Sequence, residues 1–465
     1  MQLLKEQLIL GQEYTALPDS GLRDAAAAEN KISPIHRWVP WIAGFSGHFV
    51  DDVISTFLPN PRPDDLILDP FAGVGTTLVE ALKEGCNTVG YEINPFAALA
   101  SRAKIGCAKV DLKQFARQVA EYRKSADILE AKVDKIWETD GDPGLKIHFS
   151  TLYRLKPPHF RSRIPFFSPP CEVKFLNALK WSTECPEPSQ TLFKAALGAV
   201  MVSFSNYSYE PSLSSRPGAG KTLIENSAVA DTICKKLEQM AEDIAWVNQH
   251  YSNWGTRLAE VHQDSYFDSC LPDKSVSLVI TSPPYMNNYH YIRNTRPQLH
   301  WLSLLTDRPD LRQYESGNFG KFWQTVRQSK EIGLGFEFSD LHDPLEELRG
   351  RNPDRGHYGG AGWANYVATY FNDVDRLMKL LAKQLKPGGH AVIVVGNSII
   401  QGIEFKVDQL LARVGELNGL EAREIKIVRT KRVGNSIIDS AVRNGNGAVH
   451  KEKTQLYDAA VILRA

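Results

Sequence analysis

The stretch that most restricts the fold runs from Leu66 through DPFAGVGTT to Thr77. Leu66-Ile67-Leu68 is a short apolar run that breaks at Asp69-Pro70 and passes Gly73 and Gly75. It then enters LVEALKEG, whose apolar residues recur at helical spacing up to Gly85. Proline cannot donate to a strand ladder, and glycine allows both a tight turn and close approach of the backbone to a ligand. A strand that hands over to a helix in this way predicts a parallel α/β sheet with ligands at the carboxyl ends of its strands.

Other apolar runs extend that sheet. Thr88–Tyr91 ends on Glu92, and Leu258–Val261 leads into Gln263-Asp264. Val276–Ile280 ends on TSPPY, from Thr281 to Tyr285. His390–Val395, Ile425–Val428 and Ala459–Leu463 close the chain. The expected fold is α/β: a Rossmann-like, seven-stranded sheet with helices on both faces.

The spacing is uneven, because the gap before the third run far exceeds what one crossover helix needs. Residues 105–255 therefore read as a large, mostly helical insertion. Residues 300–359 read as a second insertion, a loop over the site with possible contact to a substrate. The catalytic domain is then built from 1–104, 256–299 and 360–465.

With 43% hydrophobic residues in 465, the chain can bury a sizeable core without disulfides. Its 54 basic and 54 acidic residues cancel, so any polyanion must be held by local clusters. Two clusters qualify: Arg154, Lys156, His159, Arg161 and Arg163, and Lys426, Arg429, Lys431 and Arg432. The six cysteines are scattered without metal-ligand spacing, which argues against zinc and fits a reducing compartment. No apolar run approaches the roughly 20 residues of a membrane span. A soluble, cytoplasmic protein without membrane contact is the expectation.

The glycine loop and Glu92 suit an adenosine-containing cofactor: backbone N–H groups at the helix start, and a carboxylate placed for ribose hydroxyls. TSPPY is more specific. Its two prolines force the chain out at the strand end, setting the Ser282 hydroxyl, the Pro283 carbonyl and the Tyr285 ring side by side. An exocyclic amine on a base is a poor nucleophile, and two acceptors gripping its hydrogens would aim its lone pair at a methyl donor. The tyrosine can stack on a base extruded from a duplex.

These motifs resemble those of the DNA amino-methyltransferases, which make N4-methylcytosine or N6-methyladenine. DPFAGVGTT resembles that family's cofactor loop, and SPPY its catalytic tetrapeptide in the form commonest in the cytosine-N4 branch. The resemblance implies S-adenosyl-L-methionine as cofactor, bound by Asp69, Pro70, Phe71, Gly73, Gly75, Thr76, Glu92 and Asp264. It assigns the target base to Ser282, Pro283, Pro284 and Tyr285. The segment HRWVPWIAGFSGHF adds His36, Pro40 and Phe45 beside the cofactor. Asn287, Asn288, Tyr289 and Gly396-Asn397 are further candidates for framing the base.

The implied chemistry is direct methyl transfer without covalent intermediate or metal. The substrate is duplex DNA read by the 105–255 insertion, with the enzyme a monomer and a restriction endonuclease as a possible separate partner. Adenine N6 and an RNA-base amine remain alternatives. Two decoys lack their contexts. Pro170-Cys171 is followed by Glu172 rather than the glutamine of cytosine-C5 enzymes, and PGAGKT at 217–222 lacks the first glycine of a P-loop.

Overall fold

A seven-stranded sheet organises the chain in the computed structural model, which describes residues 8–9, 12–13, 21–41, 44–157, 160–209, 212–287, 289–305, 311–431, 437–438 and 456–465. His159, Asn288 and Arg432 lie outside the described residues. The strands are β1 (Leu66–Asp69), β2 (Asn87–Tyr91), β3 (Ala259–His262), β4 (Val276–Thr281), β5 (Leu385–Gly396), β6 (Glu421–Lys431) and β7 (Leu456–Arg464). Their spatial order is β6-β7-β5-β4-β1-β2-β3, and β7 alone runs antiparallel. Each apolar run read from the sequence falls on one of these strands.

The order reverses between β1 and β4, which pair in parallel with Ile67 opposite Leu278 and Leu68 opposite Val279. Crossovers leave this switch point in opposite directions and open a crevice at the strands' carboxyl ends. DPFAGVGTT and SPPY both begin there.

Alternation along β1 feeds two cores. Ile67 packs with Leu278, Ile280, Val392 and Val394 under α1 (Gly47–Phe57). Leu66 and Leu68 face the other side, where α8 (Gly360–Gln384) and α9 (Val407–Leu417) bury their apolar stripes. Helices α2 (Thr76–Lys83) and α3 (Pro95–Ile105) follow β1 and β2.

The helical reading of 105–255 holds in the described residues. The insertion contains α4 (Leu112–His148, broken at Gly141 with φ 61°), α5 (Pro169–Glu184), α6 (Ser189–Val200) and α7 (Val229–His250). These helices share one continuous core with α2 and α3. The two sets of helices meet tightly at Gly198, where a Cβ would stand 2.1 Å from the Phe96 ring. Trp301, just beyond the SPPY segment, packs edge-on against Phe167 and Phe175 at 4.9 and 5.7 Å, so the insertion is fastened to the segment that follows β4.

The 300–359 segment, expected as a loop, contains short helices in its described residues, at Arg312–Gly317, Trp323–Val326 and His342–Arg349, and is held down by aromatic anchors. Phe319 meets Phe71 edge-on at 5.1 Å, and Trp323 stacks on Trp363 at 4.6 Å. Among the described residues no helix is long and apolar enough to cross a membrane.

Candidate active site

Beyond β1 the chain turns at Gly73 (φ +51°) and Gly75 (φ +82°), conformations that glycine alone adopts without strain. A Cβ on Gly75 would meet Ser101 Oγ at 2.9 Å, so this glycine is needed for packing on α3. Ser101 Oγ donates to the Gly73 carbonyl at 2.8 Å. Gly73 N in turn donates to Glu92 Oε2 at 2.8 Å, and Asn94 N to Glu92 Oε1 at 2.7 Å. The Glu92 carboxylate is thus clamped by two backbone donors and keeps lone pairs for a ligand. Burial raises its pKa to about 7, helped by the Asp69 charge and opposed by those N–H groups.

Asn94 anchors the end of β2. Its Oδ1 accepts from Phe96 N and Ala97 N as the N-cap of α3, with Pro95 in the first turn. Its Nδ2 donates to Thr295 Oγ1 at 2.9 Å, reaching the segment beyond SPPY.

On the β4 side, Thr281 Oγ1 donates to Asp69 Oδ1 at 2.6 Å, and Thr77 Oγ1 donates to the Ile280 carbonyl at 3.2 Å. Asp69 also accepts from Phe71 N at 3.0 Å. Burial lifts the Asp69 pKa to about 6, against the pull of these donors. The Ser282 and Tyr285 side chains share a hydrogen bond, while burial and the nearby Asp458 hold the phenol well above its usual pKa. Asn287 N donates to the Tyr285 carbonyl at 2.7 Å and Ser398 Oγ to that of Met286 at 2.8 Å, fixing the turn.

One cleft at the switch point is lined by Asp69, Pro70, Phe71, Gly73, Thr76, Glu92, Asp264, Ser282 and Pro284, and by Phe45. Gly75, Pro283 and Tyr285 do not line it: Gly75 is turned onto Ser101, Pro283 is buried, and the Tyr285 ring lies against Gly396. His36 and Pro40 face a neighbouring cavity instead. His36 Nε2 is 2.5 Å from Glu80 Oε1.

Sequence reasoning missed Trp41, Asn94, Tyr291 and Phe319, which complete the cleft. Of these only Asn94 had a legible signal, an Asn-Pro helix start. Cys171 is buried in α5 and lines neither cavity. Among the described residues no cluster of His, Cys, Asp or Glu is arranged to hold a metal ion.

The fold and the crevice define a class, the Rossmann-like methyltransferases with a helical insertion. The DNA methylase family model of N6/N4 type matches residues 49–102, which span α1, the glycine loop and Glu92. A type II methyltransferase of Geobacillus stearothermophilus (M.BsoBI) is 24% identical over 445 residues, covering 88% of this chain and 82% of its own length. A type II methyltransferase of a Nostoc strain (M.AvaI) is 22% identical, covering 88% and 83%. One from Methanocaldococcus jannaschii (M.MjaII) is 34% identical over 83 residues, 18% of this chain and 15% of its own length. Within the class, these similarities support a DNA amino-methyltransferase of the N4/N6 type.

Proposed function

We propose that the protein transfers a methyl group from S-adenosyl-L-methionine to the N4 amino group of cytosine in a specific duplex sequence. The observation that carries this reading is the meeting of Ser282 with the Gly73–Glu92 clamp in one cleft at the switch point.

The cleft fits the cofactor. Glu92 offers acceptors for two ribose hydroxyls, exposed Asp264 stands at the rim for the adenine amino group, and Gly73 leaves room beside Trp41. When bound, S-adenosylmethionine supplies an electrophilic methyl on a sulfonium. The chain's own part is positioning, the usual source of rate in a direct transfer. Ser282 Oγ and the Pro283 carbonyl accept from the base's amino group, Tyr285 turns from Gly396 to stack on the extruded base, and Pro284 keeps the turn rigid. The methylated amine is acidic enough to lose its proton to water, so no resident base is required.

The base assignment rests on serine at the first position of the tetrapeptide. Target recognition falls to the 105–255 insertion, whose contacts with the SPPY segment support that role. Tyr209 Oη donates to the Asn294 carbonyl and Leu213 N to Asn294 Oδ1, each at 3.1 Å. The account carries a monomer in a restriction-modification setting, the endonuclease being a separate chain. Methyl-labelled S-adenosylmethionine incubated with unmethylated genomic DNA and with total RNA tests it. Label is expected in DNA, and label in RNA alone would overturn the proposal.

A further inference from the structure

A second cavity, of about 840 Å³, lies beside the cofactor cleft and shares with it the wall made by Trp41, Val74, Thr76 and Tyr291. Its charge is one-sided. Lys31, Arg37, Lys104, Arg216, Lys221 and Lys236 line it, and among the described residues no aspartate or glutamate does. That bias is local, since acids and bases balance at 54 each in the whole chain.

The floor is Lys104 on α3, 1% exposed. Lysine is almost never fully buried without a partner. Neighbouring cations have theirs: Arg37 Nη2 lies 2.5 Å from Asp243 Oδ1, and Lys236 Nζ donates to Gln239 Oε1 at 2.7 Å. Among the described residues the Lys104 ammonium has neither a hydrogen-bond acceptor nor a carboxylate. Burial and the nearby Lys236 push its pKa down to about 7, the cost of holding an unanswered cation there. His36 Nδ1 and Ser208 Oγ, also on the lining, are buried and unsatisfied.

A cation would be repelled from this space and an apolar group would leave the donors unmet, so the complementary ligand is an anion. The volume accommodates far more than a bare ion. Tyr207, Tyr209 and Tyr289 add aromatic faces. Several cations with hydroxyl donors and stacking surfaces match a phosphate attached to a base.

We propose that this cavity is a phosphate-binding site that takes a nucleotide, with Lys104 as the buried contact. The phosphate belongs either to a free nucleotide or to the DNA strand. The site is separate from the methyl-transfer cleft and does not depend on which base is modified.

Calorimetric titration of the full chain with deoxycytidine monophosphate, and with inorganic phosphate, tests the site. Wild type is expected to bind the nucleotide, and Lys104→Met to bind it at least about tenfold more weakly, with S-adenosylmethionine affinity unchanged. Lys236→Gln serves if Lys104→Met does not fold, with the same expectation. The source is read from duplex binding against salt, where loss of one phosphate contact lowers the slope by about 0.9. A lowered slope in Lys104→Met assigns the phosphate to DNA. An unchanged slope with weakened nucleotide binding assigns it to a free nucleotide. Nucleotide, phosphate and duplex binding all equal to wild type would overturn the proposal. Absence of methyl transfer to any DNA, with nucleotide binding still dependent on Lys104, would overturn the proposed function and leave this site standing.

Discussion

Thr281 Oγ1 donates to Asp69 Oδ1 across 2.6 Å, tying the strand end that carries SPPY to the strand end that carries the glycine loop. Asp69 is 1% exposed, so this donor offsets much of the desolvation of its carboxyl. Thr281→Val keeps the shape and removes the donor. It should cost about 1–3 kcal/mol of stability, the usual penalty for stranding a buried acceptor. Methyl transfer should fall with it, and Thr281→Ser should restore both. Denaturant midpoints and initial rates on the three proteins decide this.

If Glu92 holds the ribose as proposed, cofactor affinity should depend on pH. Burial pushes the Glu92 carboxyl pKa up to about 7, so it ionises across neutrality, and only the ionised form would accept from both ribose hydroxyls. The dissociation constant for S-adenosylmethionine should fall as pH rises from about 6 to 8. The cofactor-free protein should show the opposite trend in stability. A carboxyl whose folded pKa exceeds its usual 4.5 binds its proton more tightly when folded, so stability is lost as pH rises from that value through about 7. Glu92→Gln should flatten both curves, as read by calorimetry and thermal melts.

The Tyr285 ring depends on the bareness of Gly396. A Cβ there would lie 3.2 and 3.3 Å from two ring carbons and 2.8 Å from Asp458 Oδ1. Gly396→Ala should crowd the ring and block its swing onto the base, slowing methyl transfer by about tenfold, equivalent to about 1.4 kcal/mol in the barrier. Cofactor affinity should hold. Tyr285→Ala should lose more, again in turnover rather than in cofactor binding. Equal losses in cofactor affinity would contradict the assignment of Tyr285 to the base.

Trp301 couples the insertion to the segment that follows SPPY. It is 2% exposed and wedged among Phe166, Phe167 and Phe175. Trp301→Ala should destabilise by about 3–5 kcal/mol, the range for truncating a large buried aromatic. Because the insertion's core is continuous with α2 and α3, thermal unfolding should stay a single transition. A separate early transition of the insertion would show that it packs independently.

The strands and the two motifs were legible because each is local: an apolar run, then residues whose backbone demands a turn. Glu92 and Asp264 were legible for the same reason, as polar residues after such runs. Trp41 and Phe319 were not, since they reach the cleft from segments without periodicity and are placed by distant packing. The turning of Tyr285 onto Gly396 joins two strand ends more than 100 residues apart, and no spacing rule encodes it. The elevated pKa values of Asp69 and Glu92 come from burial, which composition does not show. The cationic cavity is likewise assembled from the N-terminal segment, α3, the insertion and the SPPY loop, in a chain with no net charge.

The central claim is tested most directly by identifying the modified base. Mixed-sequence duplex is methylated with the purified protein and S-adenosylmethionine, digested to nucleosides and analysed by mass spectrometry. N4-methyldeoxycytidine is the predicted product. N6-methyldeoxyadenosine or 5-methyldeoxycytidine as the sole product would contradict the account.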